Sequence, residues 1–400
     1  MSFNQWKELK LEELCISITD GAHSSPKSVE KGYPMASVKD MNYFEINLDT
    51  CRKISEEDYS KLVKARCKPE KNDILIAKDG SYLKHVHVVK EEKEVVILSS
   101  IAILKPNIQK IYPEFLRYYL LSPMAKANLE AGYVSGSAIR RIVLKDFKRF
   151  PIYVPTLEEQ KAIANTLSSL DDKIELNNQM NETLEEIAQT LFKGWFVDFE
   201  FPNEEGQPYK SSGGEMVESE LGMIPHGWEV KRLGELISIS SGKRPSKKSP
   251  EKNSEYKYSL IGASSIMGYV LEPLCDDKIL VIGRVGTHGV VQRFFEPVWP
   301  SDNTLVIRTP YYEFINQILK KIDYSAINRG STQPLITQTD IKNTKVIFPT
   351  VELLKVYEEK CSVIFNVFKH NQVENISLCN LRDTLLPKLM SGEIRVSDLN

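Results

Sequence analysis

The sequence predicts an α+β protein: two α+β domains in tandem repeat, each followed by a long helix, with the two helices forming an antiparallel coiled coil. Three observations carry that expectation. First, the chain is written twice. Residues 134–196 match 328–390 without a gap at a constant offset of 194 residues. "GSAIRRIVLKDFKRFPIYVPT" (136–156) meets "GSTQPLITQTDIKNTKVIFPT" (330–350), so that Asp146 recurs as Asp340 and Pro155-Thr156 as Pro349-Thr350. Second, the front of each repeat alternates short β-rich runs with helical ones. Third, the back of each repeat carries an apolar seam at alternating steps of four and three residues, the signature of a coiled coil.

In the first copy, "DILIA", "HVHVV" and "VVILSSIAIL" read as strands, and "PEFLRYYLLSPMAKANLEA" (113–131) as a helix with proline near its start. The long helix follows Pro155-Thr156, with the threonine as N-cap. Its seam is Ile163, Leu167, Leu170, Ile174, Asn177, Asn181, Leu184, Ala188, Leu191 and Trp195. Trp195, Phe196, Phe199 and Phe201 are expected to pack on an α+β domain of the chain, the alternative being a partner protein. A Gly-, Ser-, Pro- and Glu-rich stretch, 202–225, reads as a surface linker.

The second copy opens with "WEVKRLGEL" (228–236), which matches "WKELKLEEL" (6–14) at offset 222, and "LVIGRVGT" (280–287) matches "ILIAKDGS" (74–81) at offset 206. The second copy is therefore shorter by 28 residues, all lost before the strictly matched part. "KILVIG" and "TLVIR" read as strands and "YYEFINQILKKI" (311–322) as the matching helix. The second seam is Tyr357, Cys361, Ile364, Phe368, Asn371, Asn375, Leu378, Arg382, Leu385 and Leu389. The boundaries so read are 1–155 for the first domain, 156–198 for its helix, 199–226 for the linker, 227–349 for the second domain, 350–392 for its helix and 393–400 for a tail.

Both seams place two asparagines at their centre. A buried asparagine adds little stability but penalises any register that leaves it facing leucine. Asn177, Asn181, Asn371 and Asn375 are thus expected to set helix register. Antiparallel pairing matches Asn177 with Asn375 and Asn181 with Asn371. Parallel pairing would also match asparagines; a two-fold perpendicular to the helices favours the antiparallel arrangement.

The chain has 400 residues, 26 % charged and 42 % hydrophobic, with a net charge of −2. A global basic field is absent, so nucleic acid would have to be held by local clusters. No run approaches a membrane span, and "MSFNQWKELKLEEL" lacks the apolar core of a signal peptide, which makes the cytoplasm the expected location. The six cysteines show no CxxC spacing and are expected to be free thiols, with no structural zinc.

Two variable α+β domains, each followed by a long constant helix, resemble the specificity subunit of a type I restriction–modification system. The stretches that carry the resemblance are "PTLEEQKAIANTLSSLDDKIELNNQMNETLEEIAQTLFKGWFVDF" (155–199), "GEMVESELGMIPHGWEVKRLGEL" (214–236) and "LRDTLLPKLMSGEIRV" (381–396). The resemblance implies two α/β target recognition domains, each reading one half of a bipartite asymmetric site in double-stranded DNA. It implies that the helices set the half-site spacing and dock two methyltransferase subunits. Those subunits would use S-adenosylmethionine, and added motor-nuclease subunits would use ATP and magnesium. This chain would bind no cofactor and would be a non-catalytic subunit of the assembly.

The residues agree with a chain that lacks its own chemistry. No [ND]PP[YF] tetrapeptide and no Walker A loop occur, and "GRVGTHG" (283–289) fails the dinucleotide pattern. Glu91-Glu92-Lys93 forms an E-x-K triplet of a kind common in charged loops. His85 and His87 alternate on a strand and read as two facing polar positions rather than a metal pair. The competing reading is a coiled-coil scaffold that binds proteins without reading DNA sequence.

Base reading needs polar side chains on exposed loops. One such loop follows the "ILIAKDG"/"LVIGRVG" strand and offers Lys78, Ser81, Lys84 and His85 in the first copy, Arg284, Thr287 and His288 in the second. The other is the Gly-Ser loop, with Ser137, Arg140 and Arg141, then Arg329, Ser331, Thr332 and Gln333. "GKRPSKKSPEK" (242–252) adds Lys243 and Arg244, with Lys247 and Lys248, as phosphate-binding candidates. Where the backbone pattern repeats the side chains differ, which suits one scaffold reading two half-sites.

Overall fold

The structure is a computed structural model; it describes residues 6–80, 84–135, 141–284, 290–324, 326 and 335–399. The chain divides into two compact units. One comprises Met1–Gln179 with Asn371–Asn400, the other Met180–His370.

In the first unit, a four-stranded sheet runs in the order Cys15–Asp20, Ile101–Pro106, Ile74–Ala77, Val86–Val88, antiparallel throughout. A three-stranded sheet places Tyr33–Ala36 between Arg52–Ile54 (antiparallel) and Val96–Ile97 (parallel). A third pair, Lys7–Lys10 with Pro151–Val154, joins the two ends of the domain. Ile74–Ala77 is buried at every position, as a central strand covered on both faces must be. The run read as one strand, "VVILSSIAIL", divides between the two sheets. The chain reverses at Leu98–Ile101, where the Ile101 amide donates to the Leu98 carbonyl. The 113–131 helix likewise breaks into Pro113–Leu121 and Pro123–Gly132. Pro123 forces Ser122 out of helical geometry, and the serine hydroxyl then caps the second piece by accepting from the Ala125 amide.

The second unit repeats this topology. Its four-stranded sheet runs Ser238–Ser241, Thr304–Arg308, Ile279–Gly283, Val291–Phe294, and its three-stranded sheet places Tyr258–Ile261 between Ile266–Val270 and Val298–Pro300. Glu229–Arg232 pairs with Lys345–Phe348 to close the domain. Strand order, direction and closure match the first unit element for element. The stretch read as a plain surface linker has structure of its own. Met216–Ser219 and Gly222–Pro225 form a hairpin, and Phe199 and Phe201 leave the helix to pack on Trp228, at 5.6 and 5.1 Å between ring centroids. Trp195 and Phe196 complete this aromatic cluster with Phe314 and Tyr357.

Two long helices, Leu157–Phe196 and Val351–Met390, follow the domains. At 1.5 Å per residue each is about 60 Å long. Thr156 and Thr350 cap them through the amides of Glu159 and Leu353. Every seam residue named from the sequence is buried or half-buried. Within the first unit the paired segments run antiparallel. Asp171 meets Arg382 at 2.8 Å, and Asn177 Nδ2 donates to Asn375 Oδ1 at 2.8 Å and to Glu374 at 2.7 Å. Asn375 donates in turn to Asn178 at 2.9 Å. In the second unit Phe192, Trp195 and Phe196 pack on Tyr357, again with opposite chain directions.

A buried charge hub seats each domain on its helices. In the first unit the Asp171 carboxylate accepts from Tyr43, Arg117, Tyr118 and Arg382, at 2.7–3.2 Å. Its repeat counterpart in the second helix is Phe365. There the Arg293 guanidinium lies 3.7 Å from the Phe365 ring and pairs with Glu185 at 2.6 Å and Glu313 at 3.3 Å. The two seats therefore share a location in the repeat and differ in chemistry.

Candidate nucleic-acid interface

The repeat extends to single hydrogen bonds at one end of each four-stranded sheet. In the first domain the Lys78 amide donates to Ser100 at 3.0 Å, and the Lys78 carbonyl accepts from the Ile142 amide at 2.9 Å. In the second, the Arg284 amide donates to Asn303 at 3.0 Å and its carbonyl accepts from Ile336 at 3.0 Å. Ile142 and Ile336 each lie one residue past the point where described structure resumes after the Gly-Ser loop. The described residues that flank the loop after the central strand and the Gly-Ser loop are thus bonded to each other in both copies. Asp79 bridging to Arg141 adds a second tie in the first.

The named candidates fall into three groups. Lys84, Arg141, Lys243 and Arg244 are exposed, and His85 and Arg284 are half-buried. Burial, then the Lys84 charge, hold the His85 imidazole below its usual pKa. Ser81, Ser137, Arg140, Thr287, His288, Arg329, Ser331, Thr332 and Gln333 lie outside the described residues. Lys78 is a correction: it is buried, and its Nζ pairs with Asp20 Oδ1 at 2.8 Å. An ammonium buried just past the end of Ile74–Ala77 cannot leave its carboxylate for DNA without uncovering a buried charge.

The remaining motifs carry no site. His87 is buried beneath the Asn42–Phe44 turn, with its ring stacked on His85 at 6.4 Å between centroids. Among the described residues no cluster of three or more His, Cys, Asp or Glu could hold a metal. Glu91, Glu92 and Lys93 are exposed, and Lys93 pairs with Glu45 at 3.8 Å. All six cysteines are free thiols. Among the described residues no helix is long and apolar enough to cross a membrane.

The type I restriction modification DNA specificity domain matches the chain twice, over residues 4–186 and 225–366. The chain belongs to this family. A type I restriction enzyme specificity subunit from Methanocaldococcus jannaschii is 30 % identical over 72 % of this chain and 71 % of its own length. The HindI specificity subunit from Haemophilus influenzae is 26 % identical over 81 % of this chain and 87 % of its own length. The crystal structure of a type I restriction–modification S subunit from M. genitalium superposes with a TM-score of 0.59 at 18 % identity, covering 96 % of each chain, and shares the fold. This chain is a non-catalytic specificity subunit: it recognises DNA for a type I restriction–modification complex. Its two recognition domains are the two repeats described above.

A basic loop after the first strand of the four-stranded sheet is legible in the sequence of only one copy. Sequence reading singled out Lys243–Lys248 in the second recognition domain but no counterpart in the first. The signal was a shift of offset from 222 to 221 residues between the opening Trp and Gly21/Gly242, too small to separate from noise without the strand register.

Proposed function

We propose that each recognition domain reads one half of a bipartite asymmetric DNA site through the loops gathered at the end of its four-stranded sheet. Lys84, His85 and Arg141 would serve one half-site, and Lys243, Arg244 and Arg284 the other. The loop residues Ser81, Ser137, Arg140, Thr287, His288, Arg329, Ser331, Thr332 and Gln333 complete the proposed surface. The antiparallel helices would set the spacing and dock two adenine-N6 methyltransferase subunits, which would bring S-adenosylmethionine. Motor-nuclease subunits using ATP and magnesium would add restriction, and the assembly would work in the cytoplasm. The observation that carries this reading is the matched pair of backbone ties, Ile142 to Lys78 and Ile336 to Arg284, which present different side chains on one repeated frame.

The test is to map adenine methylation across the host genome by single-molecule sequencing, with this gene intact and deleted. The expected result is loss of one split motif on deletion while the methyltransferase gene is untouched. Survival of every motif would count against the reading.

A further inference from the structure

We propose that His23, Ser24 and Lys27 form a third DNA-contacting loop in the first recognition domain, the counterpart of Lys243–Lys248 in the second, with His23 held in place by the buried Lys78–Asp20 pair. This rests on the reading that the sheet ends face DNA. It adds a loop to which the sequence assigns no role.

The equivalence of the two loops stands on four matched features. Gly21 donates to Ile101 at 3.1 Å, and Gly242 to Thr304 at 3.1 Å. Ala22 donates to Ile97 at 2.7 Å, and Lys243 to Pro300 at 3.0 Å. A Cβ on Gly21 would collide with the Ile97 and Leu98 carbonyls, and one on Gly242 with those of Pro300 and Ser301. Both positions therefore require glycine for the same close approach. Finally, each loop rejoins its three-stranded sheet by a single antiparallel bridge, Val29 to Lys53 and Ser249 to Tyr269. The loops start and finish on the same frame.

They also lie beside the other two loops. The Ser99 amide donates to the Ala22 carbonyl at 2.9 Å, and the next residue, Ser100, accepts from Lys78. In the second domain the Gln338 side chain lies 3.1 Å from the Ser241 hydroxyl, next to Gly242 and two residues beyond the Ile336 tie. The described residues flanking all three loops thus lie together at one sheet end in each domain.

The first-domain loop is shaped for contact. Arg52 pins its middle, donating to the Pro26 carbonyl at 2.6 Å and to the Ser25 hydroxyl at 2.9 Å. His23, Ser24 and Lys27 remain exposed on either side. Asp20 pairs with Lys78 through one oxygen and lies 3.4 Å from His23 Nε2 through the other. Lys78 is therefore a positioning residue: it holds the carboxylate that aims His23. An exposed imidazole beside Asp20 and a short hydroxyl suit base edges, and the flexible Lys27 suits a phosphate. The second-domain loop has a denser charge, with Lys243, Arg244, Lys247 and Lys248, so the two half-sites would be gripped unequally.

The experiment selects duplexes from a random-sequence library with the full-length chain, then measures affinity for the enriched split motif against salt. Lys27→Ala is expected to weaken binding on all sequences and to lower the slope of log affinity against log salt by about 1, and Lys27→Arg to restore it. His23→Ala is expected to relax base preference within one half-site by roughly 5- to 150-fold, the equivalent of one base contact, and to leave the other half-site intact. Circular dichroism melting at the parent temperature establishes that each variant is folded. Folded variants that keep the parent motif and salt slope would overturn the proposal, as would a change confined to the other half-site. A parent chain that enriches no split motif would overturn the DNA reading itself, which is a different failure.

Discussion

His87 shows how one side chain couples the first recognition domain to pH. Burial, with the Arg117 charge nearby, pushes its imidazole from 6.5 down to about 3. The unfolded chain binds a proton at this residue below pH 6.5 and the folded domain does not until near pH 3, so stability falls as pH drops through that window. Between pH 6.5 and 5 the loss from this residue alone is about 2 kcal/mol, at about 1.4 kcal/mol per unit. Urea unfolding at pH 7 and pH 5 checks it. His87→Gln is expected to remove that part of the difference; an unchanged pH dependence would sink the assignment. At the matching position the second domain has Gln292, which does not titrate and contributes no such slope. Periodicity correctly placed His87 on a strand, with His85 one residue before its start, but exposure could not be read from it. His85 sits at the strand's mouth and His87 under the 42–44 turn, a long-range contact with no local signature.

The elements are held by two kinds of polar seat. On the helix pair, Asn177 donates to Asn375 in a seam otherwise mostly apolar, and Asn177 Oδ1 is buried with no donor. An incompletely satisfied amide costs stability of about 1 kcal/mol and is retained where it excludes other registers. Replacing Asn177 and Asn375 together with leucine should keep the helices paired and loosen their register. Cysteine crosslinking along the seam should then give new products; a pattern identical to the parent would refute this account of the asparagines. The second seat is Asp171, which joins helix to domain. Asp171→Asn leaves Arg117 and Arg382 without their carboxylate in a buried site. Its expected cost is about 3 kcal/mol, seen as a lower midpoint in calorimetry of the full chain. The asparagines were visible in the sequence because they interrupt a regular pattern. Asp171 was not, because it lies beside the seam and its partners come from residues 43, 117, 118 and 382.

At the scale of the whole molecule, duplication makes the recognition domains separable. Each closes on itself by pairing its first and last strands, Lys7–Lys10 with Pro151–Val154 and Glu229–Arg232 with Lys345–Phe348. Both chain ends of a domain leave from one place, so exchange there disturbs no internal strand. Replacing residues 227–349 with another such domain is expected to change half of the methylated motif and leave the other half, read by genome-wide methylation mapping. Change in both halves, or in neither, would refute modular reading. The charge hubs add a condition. An incoming domain should bring a cation at the Arg293 position to meet Glu185 and Phe365. A domain taken from the first position has Val88 there and is expected to seat poorly.

What the sequence determined by itself was the repetition and its consequences. The gapless offset of 194 residues, the two seams and their central asparagines established two domains and two long helices. Helix periodicity and strand runs are local properties, set by which residues share a face, and they survive without knowledge of the fold. Tertiary structure decided what depends on contacts across long separations. It settled helix direction in each unit, which a seam that matches itself both ways leaves open. It buried Lys78 against Asp20, dividing a positioning residue from the exposed cations around it. It also matched the loop after Gly21 with the loop after Gly242. Those two glycines are required by carbonyls some 60 to 80 residues further along the chain, a steric demand that only strand pairing creates.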